Sequence, residues 1–448
     1  MVAPIAANGK NGMTSLDACA REIFFSALQA VDARAATRRA VSLNNSLLRV
    51  GDTAIDSAGR PVYLVAIGKA AGAMTAGLAE VLGDRIAKGI VCGPAHEEPH
   101  PNWAIFAGGH PLPTADSIAA ARETVRLLAD AERNALIVFL ISGGGSAMFE
   151  LPVDESITLA DLREANRQLV SCGASIAEIN AVRRVFSAVK GGKLAASAPH
   201  TDQITLIVSD TNPDDVKSVA SGPTLEPDAG TADAREVVQR YGLGDSLPQS
   251  ILKAIAQSQV KEDAAATGLR AHYVLLDNRT ALEAAAAEAR SRGFIVELAS
   301  DIKEQEIGVG CELLIARALT LSNQNKGKPV CLISGGEFSC PVRGSGVGGR
   351  NLETVLRCAM KMDEMPGAGK TQHWAVLSAG TDGVDGNSKA AGALADENTI
   401  ARAKRRGLES SDFLERSDAF HLFEQLGNLI VTGPTGTNVR DVRLVLVG

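Results

Sequence analysis

The sequence predicts an α/β protein of two domains with a parallel sheet that helices cover on both faces. Short, almost continuously apolar runs bounded by glycine or proline alternate with alanine-rich stretches whose apolar residues have helical spacing. A length of 448 residues also exceeds what one ordinary hydrophobic core organises. The stretch 225–249, rich in proline, glycine and aspartate, predicts a division into domains 1–240 and 241–448.

The predicted elements follow one another along the chain in the order that this fold class requires. The first segment, from Ser15 to about Leu48, has apolar residues at three- and four-residue intervals and Asp17 in its first turn, which predicts helix. The strands predicted for the first domain are YLVAIG, GIVCG, WAIFAGG, ALIVFLISGGG and ITLIVSD, with helices AAGAMTAGLAEVLG and SIAAARETVRLLADAE between them. The second domain has predicted strands HYVLLDN, FIVELAS, PVCLISGGE, WAVLSAGTDG, LGNLIVTG and VRLVLVG, and predicted helices ALEAAAAEARSRG and GCELLIARALTLS.

The composition excludes several functional classes. A hydrophobic content of 45% with 22% charged residues is typical of a globular protein, and the net charge of −7 argues against a nucleic-acid partner. The longest apolar run, ALIVFLI, is too short to span a membrane, and the N-terminus has no signal-peptide core. The seven cysteines are scattered without a CxxC pair, which predicts neither zinc nor disulfides. We therefore expect a cytoplasmic protein without membrane or nucleic-acid partners.

The residues that follow each apolar run carry the chemistry, because open α/β sheets bind ligands beyond the carboxyl ends of their strands. Gly68 and Lys69 lie where strand YLVAI gives way to a helix. Backbone N–H groups at a helix N-terminus favour an anion, and a lysine there adds positive charge. The Walker A pattern is absent, so this is not a P-loop. A solvated surface lysine is the alternative.

The second such loop, LISGGGSAMFE, contains three consecutive glycines. Gly143, Gly144 and Gly145 allow a backbone to approach a ligand closely, which favours a ligand-binding loop over a simple tight turn. Ser142 and Ser146 flank the glycines, and either could instead be a nucleophile. The GxSxG pattern of a serine nucleophile is not met, which disfavours that alternative.

Aspartates follow two further strands. Asp210 ends strand ITLIVS, and Asp382 lies in the loop GTDGVDGNS after strand WAVLSA. Carboxylates at strand ends suit Mg²⁺ binding or proton abstraction, so both are candidates. Asp385 precedes a glycine and fits ordinary turn chemistry. Among the histidines, His110 follows a strand in FAGGHPLP and could touch substrate, whereas His96 and His100 are predicted to be solvated.

The stretch RGSGVGGRNLE contains a literal GxGxxG pattern at residues 344–349. A dinucleotide fingerprint should connect a strand directly to a helix, but FSCPVR separates these glycines from strand CLISGG. Arg350 stands at the start of the following helix, with Asn351 and Glu353 as possible helpers. Arginine there suits bidentate contact with a phosphate or carboxylate, so the loop is predicted to bind an anion.

Taken together and in order, these segments resemble the glycerate 2-kinases with a C-terminal MOFRL-type domain. The matching pieces are GKAAGAM, GGHPLPTADS, ISGGGSA, VKGGKLA, SD…ASGPT, ISGGE, GSGVGGRNLE, GTDGVDG…AAGA and VTGPTGTNV, which run from about residue 64 to residue 440. The resemblance implies a Rossmann-like N-terminal domain, a smaller α/β MOFRL-type domain and an active site in the cleft between them. It also implies transfer of phosphate from ATP to the 2-hydroxyl of D-glycerate, with Mg²⁺ or another divalent cation.

The resemblance and the local chemistry together assign roles to residues. Lys69 and Arg350 match the family's cleft lysine and arginine, and with Asp210 they are the expected catalytic residues. Asp210 and Asp382 are the expected metal ligands. The expected contacts to substrate or nucleotide are Gly68, His110, Ser142, Gly143, Gly144, Gly145, Ser146, Arg183, Lys190, Glu337, Asn351 and Glu353.

Other functions stay open at this point. Val185, Leu352 and Lys389 depart from the family pattern, which leaves a related sugar acid such as tartronate or erythronate as an alternative acceptor. An NAD(P)H-dependent hydroxypyruvate reductase is a second alternative, although it needs a well-placed fingerprint. A sugar-acid-binding module without catalysis is a third. The expected partners are D-glycerate and ATP, and a homodimer is left open.

Overall fold

A computed structural model describes residues 15–94, 102–228, 230–258, 266–365 and 373–448. The interpretations of the extreme N-terminus, His96 and His100 lie outside these residues. Among the described residues, no helix is both long and apolar enough to cross a membrane. All seven cysteines are described and none forms a disulfide; Cys172 and Cys340 are half-buried and the others are buried.

The helices begin and end close to where apolar periodicity and capping residues predict. Thr114, Thr158 and Ser175 each accept a hydrogen bond from the backbone three residues on and form capping boxes at three of the N-termini. The α-helices are α1 Leu16–Ala30, α2 Ala33–Ala40, α3 Ala71–Leu82, α4 Ala115–Ala129, α5 Gly145–Met148, α6 Leu159–Ser171, α7 Ile176–Phe186, α8 Lys193–Ala196, α9 Ala234–Arg240, α10 Gln249–Gln257, α11 Asn278–Ser291, α12 Ile307–Gln324, α13 Arg350–Asp363, α14 Thr399–Arg405, α15 Ser410–Glu415 and α16 Ala419–Leu426. Short 3-10 helices cover Gly83–Arg85, Pro213–Ser221 and Leu243–Asp245.

The strands belong to three sheets. They are β1 Val41–Asn44, β2 Leu47–Val50, β3 Thr53–Asp56, β4 Val62–Ile67, β5 Ile86–Gly93, β6 Trp103–Ala107, β7 Leu136–Ser142, β8 Asp202–Val208, β9 Arg270–Leu276, β10 Ile295–Leu298, β11 Val330–Ser334, β12 Trp374–Gly380, β13 Gly392–Asp396, β14 Leu429–Ile430 and β15 Asp441–Val447. Every apolar run predicted as a strand overlaps one of these strands. Strands β1, β2, β3 and β13 were not predicted.

One compact unit, here called the parallel-sheet unit, comprises Asp32–Asp277 with Gly436–Val439. Within its described residues, one sheet has the order β6-β5-β4-β7-β8-β9, and all neighbouring strands are parallel. This is the Rossmann strand order, which reverses between β4 and β7. Both of these strands are buried along their whole length, as their continuous apolar runs predict.

A small antiparallel sheet, β1-β2-β3, precedes the parallel one. The predicted helix from Ser15 to about Leu48 is therefore wrong at its end, because α2 stops at Ala40. From there, buried and exposed residues alternate along the chain, which is strand periodicity. Asn45 takes a φ of 55° at the turn between β1 and β2.

The second unit, here called the mixed-sheet unit, contains the chain up to Val31, Asn278–Thr435 and Arg440–Gly448. Its described sheet has the order β10-β11-β15-β12-β13-β14. Only β10 and β11 pair in parallel, and the other pairs are antiparallel. Helix α1 belongs to this unit and packs against α11. The predicted α/β class of both domains is confirmed.

The division between the two units differs from the predicted boundary at 240/241. Helix α10 packs on α6 and α7, and β9 pairs with β8 in the parallel sheet, so the first unit continues to Asp277. The N-terminal helix joins the other unit because it covers apolar residues of α11. The proline- and glycine-rich stretch thus lies within one unit, where it contains α9 and contributes the buried residues Val237, Leu243 and Leu247 to a core. Local composition does not reveal which core a later strand joins.

Candidate active site

The loop after β4 lies at the point where the strand order of the parallel sheet reverses. Gly68 ends the strand with a φ of +109°, a value that suits glycine. A Cβ on this residue would stand 2.3 Å from the carbonyl oxygen of Ser142, so only glycine fits. The next residue, Lys69, donates its backbone N–H to the carbonyl of Gly143 at 2.8 Å. The predicted lysine is therefore held beside the predicted glycine loop.

Ser142, at the end of β7, connects the loop after β4 to the glycine loop through hydrogen bonds. The Ser142 side chain is fully buried, and its Oγ accepts the Ala70 N–H at 3.0 Å and donates to the Ile67 carbonyl at 3.2 Å. A hydroxyl engaged in this way supports the loop from behind. The expectation that Ser142 contacts substrate, and the alternative that it is a nucleophile, both conflict with this burial.

The glycines bring three polar side chains together. The Cα of Gly143 abuts the Asp210 carboxylate so closely that a Cβ would lie 1.9 Å from Oδ2. Gly144 has a φ of +79°, and a Cβ there would lie 3.0 Å from Lys69 Cγ and 3.3 Å from His110 Cδ2. Lys69, His110 and Asp210 therefore surround this loop. The sequence predicted each of them separately.

Ser146 begins a chain of hydroxyl and amide contacts beneath the loop. Its Oγ lies 2.7 Å from Ser221 Oγ, which in turn donates to Asn180 Oδ1 at 2.9 Å. Ser221 and Asn180 are each only 1% exposed. Gly145 packs against Ala220, because a Cβ would come within 2.6 Å of it. The ASGPT segment is thus packed directly under the glycine loop, although sequence reasoning gave Asn180 and Ser221 no role.

Lys190 lies in the interior, and Arg183 is half-buried. The ammonium of Lys190 bonds to the Glu150 carboxylate, and both side chains are 1% exposed. Burial lowers the pKa of Lys190, and the charge of Glu150 opposes that effect. Burial likewise lowers the pKa of Arg183, whose Nε donates to Asn166. The expectation that Lys190 binds substrate directly is corrected: its charge is used inside the fold.

The two glycines after Lys190 bond to the ASGPT segment. The N–H groups of Gly191 and Gly192 donate to the carbonyls of Ser221 and Gly222 at 3.1 and 2.8 Å. Both glycines have positive φ values, 65° and 84°, so the backbone turns where the motif places them. The buried lysine therefore fixes a loop that supports the ASGPT segment.

Arg350 begins helix α13 in the mixed-sheet unit, and its guanidinium is already engaged. Nε and Nη2 donate to the two carboxylate oxygens of Asp441 at 2.6 and 2.9 Å, and Nη2 also lies 3.0 Å from Glu337 Oε1. The charge of Asp441 raises the pKa of Arg350 although burial opposes this. The predicted bidentate contact of Arg350 exists, but its partner is a carboxylate of the protein itself.

Three backbone amides of the GxGxxG loop are engaged within the protein. Gly346, Val347 and Gly348 donate their N–H groups to Arg416 O, Asp418 Oδ1 and Asn387 Oδ1 respectively, at 2.9–3.0 Å. A phosphate cradle needs these amides unpaired. These three amides therefore do not form a phosphate cradle, and the similarity to a dinucleotide fingerprint is one of spacing alone. Anion binding by Arg350 stays a prediction.

Asn351 and Glu353, expected to contact substrate or nucleotide, are 1% and 5% exposed. The Asn351 amide donates to Asp441 at 2.9 Å and accepts from Ser378 Oγ at 2.5 Å. Glu353 accepts from Arg357 Nε at 2.8 Å. Both side chains thus bond to the protein itself, although Glu353 and Arg350 also line a pocket of about 450 Å³ within this unit.

Asp385 occupies the N-terminus of α13 as an anion would. Its carboxylate accepts the N–H groups of Asn351 and Leu352 at 3.1 and 2.8 Å. Burial raises the pKa of Asp385 to about 7; the charge of Asp441 adds to this, and the amide donors oppose it. The turn interpretation of this residue was incomplete, since the side chain caps a helix 34 residues away.

Replacing Asp385 with asparagine should reduce the pH dependence of stability. The pKa is about 7 in the folded protein against an ordinary 3.8, so between these values the folded state holds a proton that the unfolded state lacks. Stability from this group therefore falls as pH rises from about 4 to about 7. Denaturant unfolding at pH 5 and pH 8 should show a smaller loss for Asp385→Asn than for wild type. Asp363→Asn, at an exposed ion pair, should behave as wild type; an equal loss in all three proteins contradicts the assignment.

The two expected metal ligands lie in different units. Asp210 abuts Gly143 in the parallel-sheet unit, whereas Asp382 accepts the Val384 N–H at 3.1 Å in the other. Over the described ranges, no three His, Cys, Asp or Glu side chains are grouped to hold a metal. Magnesium at phosphoryl-transfer sites is usually held by one or two carboxylates plus substrate phosphates. A half-buried carboxylate such as Asp210, beside a lysine and a glycine loop, fits that requirement.

Sequence reasoning missed the buried partners of the residues it identified. Asp441, Asp385 and Arg443 form one network behind Arg350, and Arg443 stacks over Phe338 with 3.8 Å between guanidinium and ring centre. The sequence feature that could have revealed these partners is the presence of Asp441 and Arg443 at the start of DVRLVLV, an otherwise apolar strand. Charges in a buried strand require partners.

The chain is a two-unit α/β protein whose Rossmann-order sheet carries a lysine and a glycine loop at its reversal point. In this class of protein, ligands that carry phosphate bind at that point. Residues 19–256 match a family model described as a domain of unknown function, DUF4147, and residues 330–441 match the MOFRL family. The D-glycerate 2-kinase of Thermotoga maritima is 34% identical, covering 86% of this chain and 90% of that protein. The chain therefore belongs to the MOFRL-type glycerate kinase family.

Other relatives and solved structures agree with that membership. A glycerate 2-kinase of Pyrococcus horikoshii is 31% identical over 94% of this chain and 95% of its own length. An Agrobacterium vitis protein provisionally named hydroxypyruvate reductase is 36% identical, covering 86% of this chain and 99% of that protein. The crystal structure of a Thermotoga maritima glycerate kinase matches with a TM-score of 0.80 and 30% identity, over 97% of this chain and 99% of that one.

Proposed function

We propose that this protein transfers the terminal phosphoryl group of ATP to the 2-hydroxyl of D-glycerate, giving ADP and 2-phosphoglycerate. The observation that carries the proposal is the meeting of Lys69, Asp210 and the glycine loop where the parallel sheet reverses its order. The names of the relatives support glycerate as the acceptor. The resemblance of the ordered motifs supports the 2-hydroxyl as the position.

The residues around the loop have the properties that phosphoryl transfer requires. The transferred group carries negative charge on several oxygens, so catalysis depends on positioning and on charge neutralisation. Lys69 supplies a cation beside a backbone that has no Cβ in the way. Asp210 accepts the proton of the attacking hydroxyl or holds the divalent cation, and His110, which lies beside Gly144 as Lys69 does, binds substrate.

Arg350 is the second proposed cation, and its contribution rests on the resemblance. Because Asp441 and Glu337 engage Nε and Nη2, we propose that a ligand is contacted through the remaining nitrogen, Nη1. A divalent cation supplies further charge neutralisation when bound. Its identity, a cytoplasmic location and a homodimer stay predictions.

One experiment tests the function directly. The purified full chain is incubated with D-glycerate and ATP in the presence of Mg²⁺, and ADP is measured together with the product's conversion by enolase, which accepts the 2-phospho isomer. Both signals are expected to depend on glycerate and to disappear with a chelator. Tartronate and erythronate, assayed in parallel, identify a different acceptor. Absence of ADP with every acid overturns the proposal.

The reductase alternative gains little from the geometry. The GxGxxG amides are engaged internally, and the loop at the reversal point carries Lys69 instead of a glycine fingerprint. Incubation with NADH and hydroxypyruvate provides the parallel assay. Oxidation of NADH without ADP formation in the glycerate assay supports the reductase and excludes the kinase.

Replacing Gly143 with alanine should inactivate the protein without unfolding it. The added Cβ would lie 1.9 Å from Asp210 Oδ2, so the carboxylate or the loop must move. A displacement of about 1 Å at a reacting centre costs on the order of 10²-fold in turnover. The matched control is Gly244→Ala, since a Cβ there meets nothing within 4 Å. Glycerate-dependent ADP formation is measured for both, and equal turnover would contradict the placement of Asp210.

A further inference from the structure

Asp441 is the buried centre of the charge network behind Arg350. It is the first residue of β15, is 0% exposed, and accepts two hydrogen bonds from Arg350. Arg443 Nη1 lies 3.8 Å from its Oδ2, and Asn351 Nδ2 donates to its Oδ1 at 2.9 Å. Burial opposes ionisation, yet the guanidinium of Arg350 keeps the pKa of Asp441 below its ordinary value. The carboxylate is therefore an ionised acceptor.

The Asn351 amide has a chemically determined orientation. Its oxygen accepts from Ser378 Oγ at 2.5 Å, which leaves its nitrogen to donate to Asp441. The opposite orientation would point the amide nitrogen at the hydroxyl and the amide oxygen at a carboxylate. The Asp441 carboxylate only accepts, so it determines that Asn351 presents its nitrogen, and the Ser378 hydroxyl supports this orientation by donating to the amide oxygen. Asn351 thus binds the same Asp441 oxygen as Arg350 Nη2.

The network leaves the guanidinium with little freedom. Two parallel hydrogen bonds define its plane, because a bidentate arginine–carboxylate pair is planar. Glu337 Oε1 forms an ion pair with Nη2 at 3.0 Å. Only Nη1 has no role in these contacts, and Arg350 lines the pocket of about 450 Å³ together with Asn387 and Ser417.

We propose that Asp441 is a positioning residue: it holds Arg350 so that a single nitrogen, Nη1, contacts the anionic substrate group. Asp441 itself touches no substrate. The expected effect of Asp441 on turnover rests on the proposed kinase function. The positioning of the Arg350 guanidinium by Asp441 does not depend on that function and can be measured separately.

The first test measures positioning without turnover. Arg350→Ala leaves a guanidinium-sized space next to an ionised carboxylate, so methylguanidinium should raise the melting temperature saturably. The double variant Arg350→Ala/Asp441→Asn should show no saturable rise, because asparagine presents an amide nitrogen to the probe. Equal stabilisation of both variants overturns the proposal. This result does not depend on whether glycerate is the substrate.

The second test is a double-variant cycle on turnover. Asp441→Asn should lower kcat by about 10²-fold, since a misplaced catalytic group has an effect of that order, with a smaller change in KM. Combined with Arg350→Lys, the two effects should overlap instead of multiplying. Multiplicative effects overturn the proposal. If wild type forms no ADP with any acid, the kinase function fails while the methylguanidinium result still decides the positioning.

Two further variants guard against a purely structural explanation. Ser378→Ala releases the Asn351 amide and should lower kcat by roughly 10-fold with a small fall in melting temperature, so it carries the test if Asp441→Asn fails to fold. Asp202→Asn breaks the partly buried Arg60–Asp202 pair in the other unit, and it should lower stability with kcat unchanged. A Ser378→Ala kcat equal to wild type contradicts the network.

Discussion

Replacing Lys69 with methionine should abolish most of the glycerate-dependent turnover, by roughly 10³-fold or more. Methionine keeps the length of the side chain, but it removes the positive charge beside the glycine loop. Cations that neutralise a transferring phosphoryl group contribute on the order of 10³–10⁵-fold in turnover. The backbone of residue 69 still donates to Gly143, so the loop should keep its geometry. The measurement is kcat for ADP formation at saturating ATP and glycerate.

The matched control for this change is Lys88→Met. Lys88 is an exposed lysine near the start of β5, at the opposite end of the strands from the ligand loops. The same substitution there should leave kcat within about 2-fold of wild type, because surface changes of this kind have small effects. A Lys69→Met variant with turnover close to that of the control would remove Lys69 from the mechanism.

Replacing Arg350 with lysine should lower turnover by about 10²-fold despite the conserved charge. The guanidinium makes two bonds to Asp441 and a third contact to Glu337, and it still has Nη1 for a ligand. One ammonium does not reproduce this geometry, so lysine satisfies the buried carboxylate only by withdrawing from the ligand. We expect a lower melting temperature as well, since the buried Asp441 carboxylate loses part of the charge and hydrogen bonding that offset its burial.

Arg317→Lys is the matched control, because it removes a guanidinium that bridges two carboxylates outside the candidate site. Arg317 also bridges two carboxylates, Glu297 at 2.8 Å and Asp301 at 2.7 Å, and its side chain is 40% exposed against 32% for Arg350. Exposed ion pairs contribute about 0–1 kcal/mol, so both stability and turnover should be nearly unchanged. Near-wild-type turnover in Arg350→Lys would refute the role of Arg350.

The candidate site was predictable from the sequence where chemistry follows a strand end directly. Lys69, Gly143 and Asp210 each stand one or two positions after a buried apolar run, and the parallel sheet brings those ends together. The same reasoning was misleading for Lys190 and Asn351. Their residue types suit ligand binding, but their exposure of 1% shows that the fold uses them internally.

The sequence by itself determined the α/β class, most of the strands and the glycine turns, because periodicity and φ preferences act over a few residues. The tertiary structure alone decided the strand order, the continuation of the first unit to Asp277 and the partners of Arg350. Asp441 lies 91 residues after Arg350 along the chain. Such a distant pair forms only after the helix of Arg350 and the strand of Asp441 have packed together. A buried charge needs an opposite charge nearby, and the tertiary fold determines which residue supplies it.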